Sequence, residues 1–239
     1  MPDWRMVADQ LTAALALQHP PVAMAWSAAP PDGVAPYGDR YPDPAPDGRT
    51  GAVPAGCVFW TRSEGRTFTT TAADHANCSV GSVTHGFRTW EDVVANGDVA
   101  ALFDSGWVAP DDVPAIPVVA GPVGAISYGP LGDLPVDPDV VLVRLNAEQA
   151  MLLQDAVPDL RVEGKPQCHI VALAKESGHV ALSLGCTLSR VRMELEPMEM
   201  TCALPAHRLE SVVARLAAEV LPPNIAVRDY AAEDAARFP

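Results

Sequence analysis

Apolar side chains return at Trp4, Val7, Leu11 and Leu15 along the first turns of the chain, which is one face of a helix, and Asp3 stands where a cap belongs. The pattern predicts a helix over residues 3–18, ended by His-Pro-Pro at 19–21, because proline disfavours helical geometry in the residue before it. VAMAW (22–26) reads as a short strand. Periodicity is then lost over 29–55, where PPDG and PDPAPDG supply turn chemistry. A loop of that length is uncommon inside a compact domain and predicts a lid or a mobile excursion.

Regular patterning resumes with CVFWTRSEG (57–65), a short helix ending at Gly65, and RTFTTT (66–71), which is β-rich. DHANCSVGSVTHGF (74–87) reads as a small-residue turn, 89–106 as short helices, and 109–135 as a second proline- and glycine-rich connection. DVVLVRL (139–145) is dominated by a continuous apolar run of strand length, as a central strand would be. Asn146 caps a helix carrying Ala150, Met151 and Leu153. PQCHIVALAKESG (166–178) reads as a helix with Pro166 in its first turn and Gly178 at its end. HVALSLG is a strand, Cys186 opens a helix over 186–195, and MEMTCALP (198–205) is the final strand. A last helix over 207–221 puts Leu209, Val212, Val213, Leu216 and Val220 on one face. The tail, RDYAAEDAARFP, is charged and expected to be peripheral. The fold class is α+β, a mixed sheet with helices, in a single domain over 1–239.

Two segments share a layout. CVFWTRSEGRTFTTTAADHANC runs from Cys57 to Cys78, and CHIVALAKESGHVALSLGC from Cys168 to Cys186. Each starts with a cysteine on an apolar helical stretch, turns at a glycine (Gly65 or Gly178), continues as a strand and ends in a second cysteine among small residues. A strand, VAMAW or DVVLVRL, precedes each. The layout predicts an internal duplication, with two pseudo-symmetric halves at about residues 20–105 and 136–205, each supplying two cysteines to one place.

Composition narrows the chemistry. Hydrophobic content of 49% and charged content of 19% mark a globular chain. No apolar run approaches the roughly 18–20 residues of a membrane span. MPDWRMVADQ lacks the basic flank and apolar stretch of a signal peptide, so a cytoplasmic location is expected. A net charge of −14 argues against nucleic acid as partner. A small-molecule substrate or a redox partner protein is expected, not a membrane. No two cysteines have the C-x-x-C spacing, and in a reducing compartment the five are thiols or metal ligands rather than disulfides.

Cys168 and Cys186 fall at predicted helix starts, where free amides favour the thiolate, the form that binds metal. Four converging thiolates need a cation. A [4Fe–4S] cluster or a tetrahedral Zn²⁺ supplies one, and single ligands from separated elements favour the cluster.

The stretches PPVAMAW, GCVFW, DHANCSVG, PQCHI and SLGCTLSR resemble a bacterial and archaeal family, domain of unknown function 169, over about residues 8–220. The resemblance matches Cys57, Cys78, Cys168 and Cys186 to cysteines of the family pattern and Arg190 to the arginine after the last of them, but not Cys202. It implies little about activity.

The candidate site is therefore Cys57, Cys78, Cys168 and Cys186 as cluster ligands, with Arg190, one helical turn after Cys186, as the group that binds an anionic substrate, offsets cluster charge or pairs with Glu194. His75, with His85 as a second choice, is the candidate ligand or proton donor near the site; the alternative for both is a surface or capping histidine. An enzyme acting on a small molecule through one open iron is one form of this reading. The alternatives are a thiol site with Cys186 as nucleophile and His75 or His85 as base, a structural zinc site, and a metal-free module for a small ligand with all cysteines in the core.

Overall fold

Local chemistry sets the element boundaries in the computed structural model of the chain, which describes residues 2–39, 56–95, 97 and 99–238. Helix α1 (Trp4–Leu15) starts where the Asp3 carboxylate accepts the N–H of Met6, and ends at Ala16 in a left-handed conformation. Then follow β1 (Val22–Ser27), α2 (Val58–Arg62), β2 (Phe68–Thr70), α3 (Ser79–Thr84), α4 (Trp90–Ala95), α5 (Ala100–Asp104) and β3 (Ala125–Pro130). The rest of the chain forms β4 (Val140–Leu145), α6 (Ala147–Ala156), β5 (Arg161–Glu163), α7 (Ile170–Ser177), β6 (Ala181–Ser183), α8 (Thr187–Met193), β7 (Met200–Pro205), α9 (Leu209–Arg215) and α10 (Leu221–Ala235). Asn146 and Gln149 form a reciprocal capping box on α6, and Gly178 closes α7 with φ +67°.

The strands make one seven-stranded mixed sheet, ordered β2-β3-β1-β4-β7-β6-β5. Every neighbouring pair is antiparallel except β5–β6. The sheet reads alike outward from its centre, β1-β3-β2 on one side and β4-β7-β6 on the other. Along the chain each arm is strand, helix, strand, helix, strand: β1-α2-β2-α3-β3 with α4 and α5 inserted, and β4-α7-β6-α8-β7 with α6 and β5 inserted. The arms repeat one connectivity.

Helices cover both faces. On β4 the side chains alternate: Val141, Val143 and Leu145 enter the core under α1, α6 and α9, while Val140 and Leu142 enter the core under α2 and α7. Burial on both faces is why Val140, Val141, Leu142 and Val143 form an unbroken apolar run. Leu11, Leu153 and Leu209 anchor the first core, and Phe59, Tyr128 and Ile170 the second. Among the described residues no helix is long and apolar enough to cross a membrane.

The structure departs from the sequence pattern at identifiable places. The connection expected over 109–135 contains β3, where Gly129 and Pro130 end a strand with five buried residues. Gly129 is needed there, since a Cβ would stand 2.4 Å from Thr67 Oγ1. The turn expected around Cys78 is helix α3. Residues 161–163 add an edge strand that patterning did not assign. The last helix does not stop near 221. A π-helical turn, Leu216–Val220, leads into α10, where Pro222 and Pro223 lack the N–H that an α-helical ladder requires. The tail expected to be peripheral is thus helical as far as Ala235 and contributes no buried residue. Of the loop expected over 29–55, residues 40–55 lie outside the described residues, and so does any lid they form. Its first part is anchored: Ala35 and Tyr37 bond to Thr69 of β2, and the Tyr37 ring packs on Phe59 and Phe68.

A part-buried charge network ties these segments together. The Arg144 guanidinium on β4 donates to Glu64 after α2 and to Glu199 before β7, and His19 ring nitrogens lie 3.1 Å from Glu64 and 3.2 Å from Glu199. Burial opposes ionisation of Glu199, but the Arg144 hydrogen bond overrides it and holds the carboxyl below its ordinary 4.5. A lowered carboxylate stabilises the fold above its unfolded pKa, and the stabilisation is lost as pH falls through the folded value. Denaturant unfolding of the wild type is therefore expected to lose stability below about pH 4.5. Arg144→Met is expected to cost about 2–3 kcal/mol at pH 7, because it strands two largely buried carboxylates, and to flatten that acid dependence.

Candidate functional site

Each arm delivers its cysteines by the same local device. Cys78 and Cys186 are the N-caps of α3 and α8, both in extended conformation, and each sulfur takes the place of a capping oxygen. The N–H of Gly81 points at Cys78 Sγ at 3.3 Å, and the N–H of Ser189 at Cys186 Sγ at 3.5 Å. Ser189 Oγ accepts the Cys186 N–H in return at 2.9 Å, which completes a capping box. Cys57 and Cys168 enter differently. Each stands just ahead of an apolar helix, α2 or α7, and each is 7% exposed. The arms also interlock: α2 packs against α8, and α3 packs against the 3₁₀ turn Gln167–His169 that carries Cys168.

The consequence is convergence. Cys57, Cys78, Cys168 and Cys186 line one pocket of about 330 Å³, counting its open mouth. Trp107, Pro166, Gln167 and Arg192 line it too, and most of the remaining wall is apolar. Larger grooves of about 920 Å³ beside α1 and α6, and about 1010 Å³ between α1 and α9, are lined without cysteine or histidine.

The thiols sense one another. Burial pushes the Cys57 thiol well up, the charges of Cys78, Cys168 and Cys186 push it further, and Arg192 pulls it down. Burial also raises Cys168, with Cys78 adding to the effect and a hydrogen bond from the Thr84 hydroxyl opposing it. Thiols in this state ionise only when a cation repays the charge, so binding one releases protons. Among the described residues, no group of three or more His, Cys, Asp or Glu side chains is arranged to hold a metal ion as it stands. Cys202 belongs to the other core, beneath α1 and α9, and takes no part in the pocket.

Arg190 does not line the pocket. It folds back over Gly185, where a Cβ would come within 3.2 Å of its side chain, and its guanidinium donates to the carbonyls of Leu184, Glu196, Pro197 and Glu199. It works as a clasp between the turn before Cys186 and the loop before β7, and it makes no ion pair with Glu194. Arg192, two residues on, is the arginine at the pocket.

His75 and His85 lie behind the pocket wall. The His75 ring packs on Phe59 at 4.7 Å and Phe87 at 4.6 Å, and its Nε2 faces Thr70 Oγ1 at 3.1 Å. His85 Nδ1 faces the Gly81 carbonyl at 2.8 Å. Burial holds His75 well below the ordinary histidine range and His85 at about 4, so both are neutral near pH 7. Both are buried in the core rather than on the surface; His85 is also the C-cap of α3, and neither lines the pocket.

Sequence reasoning missed four contributors. Ser189 closes the Cys186 cap. Gln167 Oε1 accepts from Ser189 Oγ at 2.7 Å and so pins the Cys168 turn to the Cys186 turn. Trp107 walls the mouth, held by Lys165, whose ammonium donates to the Trp107 carbonyl and lies 5.1 Å from its ring centroid. Arg192 is the fourth. Only Ser189 had a sequence signal, a hydroxyl three residues after the cap.

No curated protein and no solved structure matches the chain. A family model described as an uncharacterised ArCR family matches residues 10–215, a span that takes in all four pocket cysteines and both arms of the sheet. The chain belongs to the domain of unknown function 169 family.

Proposed function

We propose that the pocket holds a [4Fe–4S] cluster on Cys57, Cys78, Cys168 and Cys186, and that the protein uses it in redox or small-molecule chemistry in the cytoplasm. The observation that carries this reading is the meeting of four cysteine side chains, two from each arm, at one pocket. A single tetrahedral Zn²⁺ with Zn–S near 2.3 Å would need its sulfurs about 3.8 Å apart. Single cysteines delivered from separate elements suit a cluster better than one zinc ion, whose ligands usually come in compact pairs. The amides aimed at Cys78 and Cys186 would donate to thiolate sulfur, and the apolar wall would keep water from it; both are levers on a cluster's potential. The partner is a small-molecule substrate or a redox protein. The −14 net charge disfavours nucleic acid. The competing reading, Cys186 as a nucleophile, lacks a histidine or carboxylate base at the pocket among the described residues, because His75 and His85 are buried elsewhere.

The test is anaerobic purification followed by iron, sulfide and visible-absorption assays. The wild type is expected to be coloured and to carry iron and acid-labile sulfide in equal amounts. Cys57→Ser, Cys78→Ser, Cys168→Ser and Cys186→Ser should each lose most of the iron, or the absorption of an intact cluster, while Cys202→Ala keeps both. A folded wild type that takes up zinc but no iron, or no metal at all, overturns the reading.

The wall should matter for the same reason. Trp107→Ala is expected to bleach several-fold faster in air than the wild type, with Lys165→Met intermediate, at unchanged iron content before exposure. Visible absorption followed against time checks this.

A further inference from the structure

Of the seven side chains of α8, the one whose charge reaches the cysteine pocket is Arg192. Most other arginines among the described residues of this acidic protein have their charge met locally. Arg5, Arg66, Arg144, Arg161, Arg208 and Arg228 all stand against carboxylates, and Arg190 spends its guanidinium on four carbonyls. Arg192 has no hydrogen-bond or ion-pair partner among the described residues. Partly buried and with no carboxylate among the described residues to neutralise it, its positive charge is available to the pocket. No other cationic side chain lines that pocket among the described residues; Lys165, the nearest in sequence, is engaged by Trp107.

We propose that Arg192 is the positioning residue that balances the negative charge of the pocket and so sets how readily its cluster accepts an electron. The inference rests on the cluster reading. In the step concerned, an external one-electron donor gives one electron to the cluster, whose net charge becomes one unit more negative; no bond to the protein forms or breaks. A nearby fixed cation stabilises the more negative state, and a low-dielectric wall makes the effect larger than it would be in water. Arg190 sits on the same helix, but its charge is directed at main-chain carbonyls. It therefore serves as the internal control.

The experiment is a potentiometric titration with dithionite of the wild type, Arg192→Gln, Arg192→Lys and Arg190→Gln, all purified without oxygen and matched for iron and sulfide. Arg192→Gln is expected to weaken electron affinity about tenfold, a midpoint 59 mV more negative for a one-electron couple. Arg192→Lys should restore most of that loss, because it restores the charge. Arg190→Gln should leave the midpoint within a few-fold of wild type while lowering thermal stability. If loaded Arg192→Gln has the wild-type midpoint, or Arg190→Gln shifts it as far, the assignment to Arg192 fails and the cluster reading stands. If wild-type protein binds no iron, the cluster reading fails and takes this inference with it. Should Arg192→Gln not load, the conservative Arg192→Lys decides: a midpoint unlike that of the wild type overturns the charge argument, and a wild-type midpoint supports it.

Discussion

Three residue pairs between β1 and β4, Val22–Leu142, Ala23–Val141 and Met24–Val140, join the two arms of the sheet, and the site depends on them. Each arm alone owns only two of the pocket cysteines. The antiparallel pairing lays β1-α2-β2-α3-β3 beside β4-α7-β6-α8-β7 so that α2 meets α8 and α3 meets the Cys168 turn. A slip of one residue would turn Val140 and Leu142 toward the α1 face and Val141 toward the α2 face, exchanging the two cores. The apolar load on both faces resists that slip. The packing that stabilises the fold is thus the same packing that brings the cysteines together.

Electrostatics at the pocket follow from that burial. Cys57 and Cys168 sit in apolar surroundings that hold their thiols protonated, whereas Cys78 and Cys186 are partly buried caps with amides already aimed at sulfur. The two kinds of cysteine alternate along the chain, one of each per arm. Behind them His75 and His85 are neutral parts of an aromatic core with Phe59, Phe87 and Trp60. Their burial, not their proximity in sequence to Cys78, decides what they can do. In the same way Arg190 is taken up by carbonyls and Arg192 is left for the pocket, although both follow Cys186 within two turns.

Much of the fold was legible because its signals are local. Asp3, Asn146 and Gly178 mark helix ends by their own backbone chemistry, and β1, β4 and β7 announce themselves as short apolar runs. β3 was hidden, because its Gly and Pro neighbours look like loop, and the close approach that requires Gly129 is visible only with β2 in place. The end of α10 was hidden as well, since prolines that stop an ordinary helix are accommodated by a π-helical turn.

The sequence by itself determined the four cysteines as a set, the repeated order of elements that carries them, and the capping position of Cys186. These depend on residue type and spacing over a few turns at most. Tertiary structure alone decided that the four meet in one pocket, that Cys202 faces the other core, and that Arg192 rather than Arg190 reaches the site. The physical reason is range. A cap is set by neighbours three residues away, but the pocket closes only when β1 and β4, separated by more than a hundred residues, pair in one register. The direction of a long side chain such as arginine is settled last, by whichever carbonyls or charges the completed fold leaves within its reach.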